Sequence, residues 1–146
     1  MSVRFQRANF VVADLDRALE FYRDVLGFAV TFTLDHNPES YSIPVFDIPE
    51  RARLRFCVLS TKTQERVMAL TEITGVTLAP VPHPRRAAIV LEVDDPDAVM
   101  ASARARGLEV HGEAELITKD GRKGREIGIV DADDNLIVIY KITGAA

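Results

Sequence analysis

The sequence predicts an α+β fold made of two tandem βαβββ modules, and two observations carry this prediction. The first is an internal repeat, in which residues 10–18 match residues 91–99 at an offset of 81, and residues 27–30 match residues 107–110 after one deletion. The second is that each half combines one amphipathic stretch with several short apolar runs that turn-forming residues separate. A repeat is informative about the whole fold because each copy forms one supersecondary unit.

The first module opens with an apolar strand, an acidic turn and a helix. Asp14 is suited to cap the start of the helix, and Gly27 can adopt the left-handed conformation that ends it. The apolar residues between them recur at helical spacing. These residues are Leu15, Ala18, Leu19, Tyr22, Val25 and Leu26. We expect a helix of about 10 to 14 residues, followed by strands over residues 28–34, 53–60 and 66–73.

The second module repeats this order. Asp95 is suited to cap its helix, Pro96 fits the first helical position and Gly107 ends the helix. The expected helix length is again about 10 to 14 residues. Strands are predicted over residues 109–114, 125–130 and 136–142.

The composition is that of one ordinary soluble domain, with 146 residues, 47% of them hydrophobic, and a formal net charge of −4. We place the modules at about residues 3–75 and 87–143, with a proline-rich link over 76–86 inside a single domain of residues 1–146. The mild acidity disfavours nucleic-acid partners, and no apolar run approaches the roughly 20 residues of a membrane span. We therefore expect no membrane partner and a cytoplasmic location. Cys57 is the only cysteine, which excludes two-cysteine zinc motifs.

The run D-L-x-x-A-x-x-F-Y-x-x-V-L-G-F over residues 14–28 closely resembles the opening module of the glyoxalase, bleomycin-resistance and extradiol dioxygenase group, the vicinal oxygen chelate superfamily. Residues 91–110 and the turn at 131–137 resemble the start and the closing turn of the second module of that group. The resemblance implies that the two modules form a curved, partly closed mixed β-barrel around one cavity. It also implies a homodimer.

The resemblance further implies four metal-ligand positions in the metal-dependent members of the group. In this chain they are occupied by Arg7, Ala88, Val138 and, at or near the fourth position, Ala69. None of these side chains offers a lone pair to a divalent cation, and a guanidinium repels one. We therefore expect no bound metal and no cofactor.

Side chains alternate along a strand, so Arg7, Asn9 and Val11 are expected to share the face that lines the cavity. The full set of predicted ligand-binding residues is Arg7, Asn9, Ala88, Glu92, Val138 and Tyr140. A permanent cation in a concave site favours a carboxylate, phosphate or enolate group on a ligand. Arg7 either serves this purpose or pairs with Glu92 across the cavity, and the sequence leaves both possibilities open.

Several features remain undecided at this level. The single histidines His36, His83 and His111 are expected to be exposed or singly hydrogen-bonded. The apolar loop over residues 35–51 is either a flap over the cavity or a dimer contact. The side chains of Arg51, Arg53 and Arg55 face either the cavity or the other side of the sheet.

The leading functional hypothesis is a metal-independent homodimer that binds a small anionic or aromatic organic ligand, as a resistance or sequestration protein. The alternative is an enzyme, a glyoxalase-like lyase or a dioxygenase, with a non-standard metal site such as Glu72, Glu92 and a histidine. A third hypothesis is a module that only dimerises or binds another chain.

Overall fold

The computed structural model describes residues 1–145. The chain divides into two compact units, residues 1–79 and a second unit that begins at Pro80. This boundary lies inside the segment 76–86 that the sequence predicts as a link. Each unit has its own sheet, so the mixed α+β class is confirmed.

The first unit contains a four-stranded sheet. Its elements are β1 (Ala8–Val12), α1 (Leu15–Tyr22), β2 (Ala29–Leu34), α2 (Ser42–Val45), β3 (Arg53–Ser60) and β4 (Met68–Thr74). The strand order is β1-β4-β3-β2. β1 runs parallel to β4, and the other neighbours are antiparallel. The short α2 lies within the loop that the sequence predicts after β2.

The first helix is shorter than predicted. α1 has eight residues, whereas the expectation was about 10 to 14. After Tyr22 the N–H of Leu26 donates to the carbonyl of Phe21, five residues back, at 2.9 Å. Such a bond closes a wider turn than an α-helical one, which is why the regular helix ends early. Gly27, with a φ of 87°, still terminates the segment as predicted.

α1 packs on one face of the first sheet. The ring of Phe10 in β1 contacts the ring of the fully buried Tyr22 at a centroid distance of 6.4 Å. Because side chains alternate along each strand, the neighbours of Phe10 lie on the opposite side. We call this side the open face; its residues in β1, β4 and β3 are Asn9, Val11, Leu54, Phe56, Val58, Ala69, Thr71 and Ile73.

The second unit repeats this arrangement. Its elements are β5 (Ala88–Glu92), α3 (Pro96–Ala105), β6 (Glu109–Val110), β7 (Ala114–Ile117), β8 (Lys123–Val130) and β9 (Leu136–Gly144). β5 is parallel to β9, β8 is antiparallel to β9, and both β6 and β7 pair with β8. The sequence predicts one strand over residues 109–114, whereas the structure has two short strands there, β6 and β7. α3 has ten residues, within the expected length.

The caps of both long helices match the sequence prediction. The carboxylate of Asp14 accepts a hydrogen bond from the N–H of Arg17 at 3.1 Å. The carboxylate of Asp95 accepts one from the N–H of Ala98 at 3.0 Å. Each bond satisfies a donor that the first turn of a helix leaves free.

The predicted barrel is not confirmed, because within residues 1–145 neither sheet closes on itself. Over the same residues, no helix has the length and apolar character needed to cross a membrane.

Candidate functional site

Arg7 lies on the open face and rests on an aromatic ring. Its guanidinium carbon is 5.8 Å from the ring centroid of Phe56. To reach β3 from the start of β1, the side chain must cross β4, where Ala69 pairs with Asn9. Arg7 takes part in no ion pair within the described first unit. The guanidinium therefore keeps its hydrogen-bond donors for another partner.

Asn9 lies two residues further along the same face. The hydroxyl of Thr71 donates to Oδ1 of Asn9 at 2.9 Å. Thr71 is buried, with 1% of its surface exposed, and the bond is partly buried. No hydrogen bond from Nδ2 of Asn9 occurs within the part of the first unit that is described. Arg7 and Asn9 thus both present free N–H donors.

A cavity of about 260 Å³ lies beside the contact partners of these two residues. Its lining residues are Leu34, Asp35, Asn37, Ser40, Ser42, Leu54, Phe56 and Thr71. Phe56, which carries Arg7, and Thr71, which holds Asn9, both belong to this lining. Pockets for drug-sized ligands usually measure about 300 to 1,000 Å³, so this cavity suits a smaller molecule.

The polar rim of the cavity is a loop that its own side chains hold in place. Nδ1 of His36 accepts a hydrogen bond from the N–H of Leu54 at 3.1 Å. Oδ1 of Asn37 accepts one from the N–H of Glu39 at 2.9 Å. His36 is singly hydrogen-bonded, as the sequence predicts, and it fixes the loop to the start of β3. An imidazole that accepts through Nδ1 is neutral and carries its proton on Nε2.

The apolar part of this loop covers one end of the open face. Ile48 lies in a buried cluster with Leu54 and Ile73, and Ile43 packs against that cluster. The segment is therefore fastened to its own sheet. Tyr41 points away from it, with 79% of its surface exposed.

On the opposite face, Arg55 and Glu72 form an ion pair at the start of α1. Nε and Nη2 of Arg55 each donate to the carboxylate at 3.0 Å. The same carboxylate accepts from the N–H of Leu15 at 2.6 Å. The Arg55 guanidinium, assisted by that N–H, holds the pKa of Glu72 below its usual value. This pair places Arg55, and with it Arg53, on the side of the sheet that carries α1.

Glu72 is therefore a wrong choice for the non-standard metal site that the sequence suggested. Both of its oxygens are bonded to Arg55, and its residue surface is only 8% exposed. It also lies on the face opposite Arg7 and Asn9.

The predicted residues of the second unit share one face of its sheet. Val90 pairs with Val138, and Glu92 pairs with Tyr140. Ile137 and Ile139, which alternate with them along β9, are fully buried. The remaining predicted residue, Ala88, lies on the same face of β5 two residues before Val90.

Two residues of that face were missed. Glu126 pairs with Tyr140 from the other side. The ring of His111 lies over Gly128, whose missing side chain leaves room for it. The register of β8 on β9 would have been needed to find either residue, and the sequence does not give it.

The remaining histidine and the acidic turn have structural partners. Nε2 of His83 lies 3.7 Å from the carboxylate of Asp134, which also pairs with Arg85. In the same turn, Asp131 accepts hydrogen bonds from the N–H groups of Asp133 and Asn135. These acidic residues form a turn, as expected.

A family model for the Glyoxalase/Bleomycin resistance protein/Dioxygenase superfamily matches residues 4–139. The chain belongs to this superfamily. No curated protein matches the sequence significantly.

Solved structures of superfamily proteins resemble this one. A glyoxalase family protein from Bacillus cereus is 18% identical, with a TM-score of 0.75, and the match covers 99% of this chain and 97% of that one. The trypanothione-dependent glyoxalase I of Leishmania major is 24% identical, with a TM-score of 0.65, over 96% and 87%. A fosfomycin resistance protein from Listeria monocytogenes is 15% identical, with a TM-score of 0.64, over 98% and 96%. At these identities the likeness shows the fold alone.

The strand registers show where the positions that the resemblance implies for metal ligands lie within each sheet. Asn9 pairs with Ala69 in the first unit, as Val90 pairs with Val138 in the second. The residues at these positions, Arg7, Ala69, Ala88 and Val138, do not fit a divalent cation, because none can donate a lone pair. No group of three or more His, Cys, Asp or Glu side chains suited to a metal occurs in residues 1–145.

Phe56 and Thr71, the contact partners of Arg7 and Asn9, were not singled out from the sequence. The face on which Phe56 lies is decided together with that of Arg53 and Arg55 in the same strand, which the sequence left open. Once Arg55 faces α1, Phe56 must face the other way.

Proposed function

We propose that this superfamily member binds a small organic anion with an aromatic ring on the open face of the first sheet, without a metal ion. The observation that carries the proposal is the guanidinium of Arg7, which rests on Phe56 and has no carboxylate partner in its unit. The cavity of about 260 Å³ that Phe56 helps to line gives a small ligand a place to lie.

The chemistry of the two residues supports an anionic, planar ligand. A guanidinium stays charged at every relevant pH and binds a carboxylate through two parallel hydrogen bonds. The ring of Phe32 lies beside that of Phe56 at 6.4 Å, tilted by 57°. A planar ligand ring can therefore be accommodated at the edge of an existing aromatic pair.

The biological role that we propose is resistance or sequestration, performed by a homodimer. The superfamily description includes bleomycin resistance, and one similar structure is a fosfomycin resistance protein. Sequestration requires that the protein bind its ligand but not that it catalyse a reaction. A site with a cation and an aromatic ring can supply such binding. Contacts to the ligand from Ala88, Glu92, Val138 and Tyr140 in the second unit stay predictions, as does an Arg7–Glu92 ion pair.

Titration with benzoate and benzamide, followed by NMR, tests the proposal. Benzoate is expected to bind and benzamide to bind far more weakly, because only the former carries a charge. Arg7→Leu is expected to weaken benzoate binding by about 1.5 to 3 kcal/mol, or roughly 10-fold to 150-fold in Kd.

The matched control is Arg53→Leu, which removes a guanidinium beside another cavity on the face that carries α1. It is expected to leave the affinity unchanged. Dialysis against EDTA, checked by elemental analysis, is also expected to leave it unchanged. Equal binding of the two probes, an unaffected Arg7→Leu variant, or loss of binding after EDTA treatment would contradict the proposal.

A further inference from the structure

We infer that the first unit has a second ligand site, a polar cavity on the face of the sheet that carries α1, and that this site binds a small zwitterion. The ligand class is an amino acid, with its carboxylate on Arg53 and its ammonium group on Asp35. This site goes beyond the proposed function, because neither Arg7 nor Phe56 lines it.

The cavity differs in character from the one on the open face. It measures about 350 Å³, and its lining residues are Asp35, His36, Arg53, Leu54, Arg55, Glu72 and Thr74. All of these except Leu54 carry a polar side chain. Asp35 and Leu54 lie at the border and line both cavities. A ligand here meets hydrogen-bonding groups on nearly every side, which favours a small polar molecule over an apolar one.

Two of the four charged side chains in this lining neutralise each other. Nε and Nη2 of Arg55 each donate to the carboxylate of Glu72 at 3.0 Å. The other two, Arg53 and Asp35, form no ion pair and no side-chain hydrogen bond within residues 1–145. Both are exposed to solvent at the mouth of the cavity. The cavity therefore offers one cation and one anion to a ligand.

The strand pairing places these two charges near each other. Asp35 directly follows β2, which pairs with β3, and the neighbouring His36 accepts a hydrogen bond from the N–H of Leu54 at 3.1 Å. Asp35 therefore lies beside the start of β3, where Arg53 is the first residue. Neighbouring strands lie about 4.8 Å apart, so a molecule with only a few bonds between its two charges can contact both side chains.

His36 adds a hydrogen-bond donor to the cation. Because its Nδ1 accepts from the N–H of Leu54, its proton is on Nε2. That N–H has no acceptor in the described part of the chain. His36 lines this cavity and not the one on the open face. A ligand carboxylate can thus accept from Arg53 and from His36, while a ligand ammonium group donates to Asp35.

The exposure of both charges explains why the ligand must carry two charges itself. An ion pair between exposed groups raises an affinity by at most about fivefold. A zwitterion forms both pairs and loses the translational freedom of only one molecule. Benzoate offers only one of the two charges, so this cavity does not compete for it with the open face, and Arg53→Leu remains the control for benzoate binding.

NMR titration with 4-aminobutanoate, butanoate and butylamine tests the inference, because only the first carries both charges. The wild-type protein is expected to bind 4-aminobutanoate about fivefold more tightly than butanoate, which has no group for Asp35. The expected preference over butylamine is about tenfold, because butylamine has no group for Arg53 or His36. The amide signal of Thr74, which lines this cavity alone, is expected to shift, and that of Ser42, which lines only the other cavity, is not.

Single substitutions assign each charge to its partner. Arg53→Leu is expected to weaken 4-aminobutanoate binding about fivefold and to leave butylamine binding within about twofold. Asp35→Asn is expected to weaken 4-aminobutanoate binding about fivefold and to leave butanoate binding within about twofold. A merely structural role would not produce this charge-selective pattern. The matched control is Arg51→Leu, which removes the same charge from an exposed residue outside the lining and is expected to change neither affinity.

The inference and the proposed function fail separately. Binding of 4-aminobutanoate no tighter than that of its two analogues overturns the inference and makes Arg53 and Asp35 solvated surface charges. Equal effects of Arg51→Leu and Arg53→Leu overturn it as well, and so do shifts confined to the residues of the open-face cavity. None of these results changes the expectation for benzoate and Arg7→Leu.

Discussion

The buried carboxylate of Glu72 is expected to be a major source of stability in the first unit. Two substitutions, Glu72→Ala and Glu72→Gln, remove its interactions to different extents. The carboxylate accepts from the N–H of Leu15 at 2.6 Å and pairs with Arg55 through two bonds of 3.0 Å. Glu72→Ala removes all three bonds. Glu72→Gln keeps one oxygen that can accept from Leu15, but it loses the charge and replaces the other oxygen, which accepts from Arg55, by an NH2 group.

The magnitude follows from burial. Hydrogen bonds to charged groups contribute about 1.5 to 3 kcal/mol each. The side chain of Glu72 is 11% exposed, but that of Arg55 is 36% exposed, so Arg55 can turn to water and the pair contributes less than a fully buried one. We expect Glu72→Ala to lower the free energy of unfolding by about 2 to 3 kcal/mol and Glu72→Gln by about 1 kcal/mol.

Urea unfolding followed by circular dichroism measures the effect. With a slope of about 2 kcal/mol per molar urea, Glu72→Ala is expected to lower the midpoint by about 1 to 1.5 M. The matched control is Asp16→Asn, which removes a carboxylate 3.6 Å from the same guanidinium but 84% exposed. It is expected to change stability by less than about 0.5 kcal/mol. Equal losses in Asp16→Asn and Glu72→Ala would refute the reasoning.

The same carboxylate makes the stability depend on pH. Arg55 holds the pKa of Glu72 below its ordinary value of 4.5. A carboxyl group with a lowered pKa contributes stability that is complete above the unfolded pKa and is lost as the pH falls through the folded one. The gap between wild type and Glu72→Gln is therefore expected to stay constant between about pH 6 and 8 and to shrink below pH 4.5. A gap that widens in acid would contradict this assignment.

Two further predictions concern single positions in the two sheets. Gly124→Ala places a Cβ against the backbone carbonyl of Lys141 and 3.2 Å from Cα of Ile142. We therefore expect it to lower the free energy of unfolding by about 2 kcal/mol, as measured by urea unfolding. Gly112→Ala is the neutral control, because an added Cβ there has nothing within 4 Å. Cys57 is fully buried, and burial raises the pKa of its thiol. We therefore expect no reaction with a disulfide reagent at pH 8 until urea unfolds the protein, and rapid labelling of the native protein would show that the thiol is accessible.

The elements that local signals specify could be predicted from the sequence. Asp14 and Asp95 cap the helices because a short acidic side chain can reach the free N–H groups of the next turn. Gly27 and Gly107 end these segments with positive φ values, which glycine adopts without steric cost. The repeat then gives both modules the same order of elements.

The candidate site depends on contacts between distant residues, and these could not be predicted. Arg7 and Phe56 are far apart in sequence, and their contact requires the order of strands and the parity of β3. The sequence does not show which side chains of β3 face which side of the sheet, because β3 carries large apolar residues on both faces. The open face tolerates Leu54 because Ile48 from the loop after β2 covers it. A loop that covers a sheet leaves no periodic signal in the strand itself.

In the first unit, Arg7 and Ala69 occupy two positions that the resemblance implies for metal ligands, and the two residues are compatible with each other. The guanidinium reaches Phe56 only by crossing β4, and a methyl group at position 69 leaves that path free. A carboxylate there would lie beside the guanidinium and neutralise it, leaving no net charge for a ligand. Under the proposed function, the chain thus supplies its own positive centre where metal-dependent relatives would bind a cation. Such a centre cannot be removed by chelation, so anion binding that persists in EDTA and disappears in Arg7→Leu would distinguish it from a metal site.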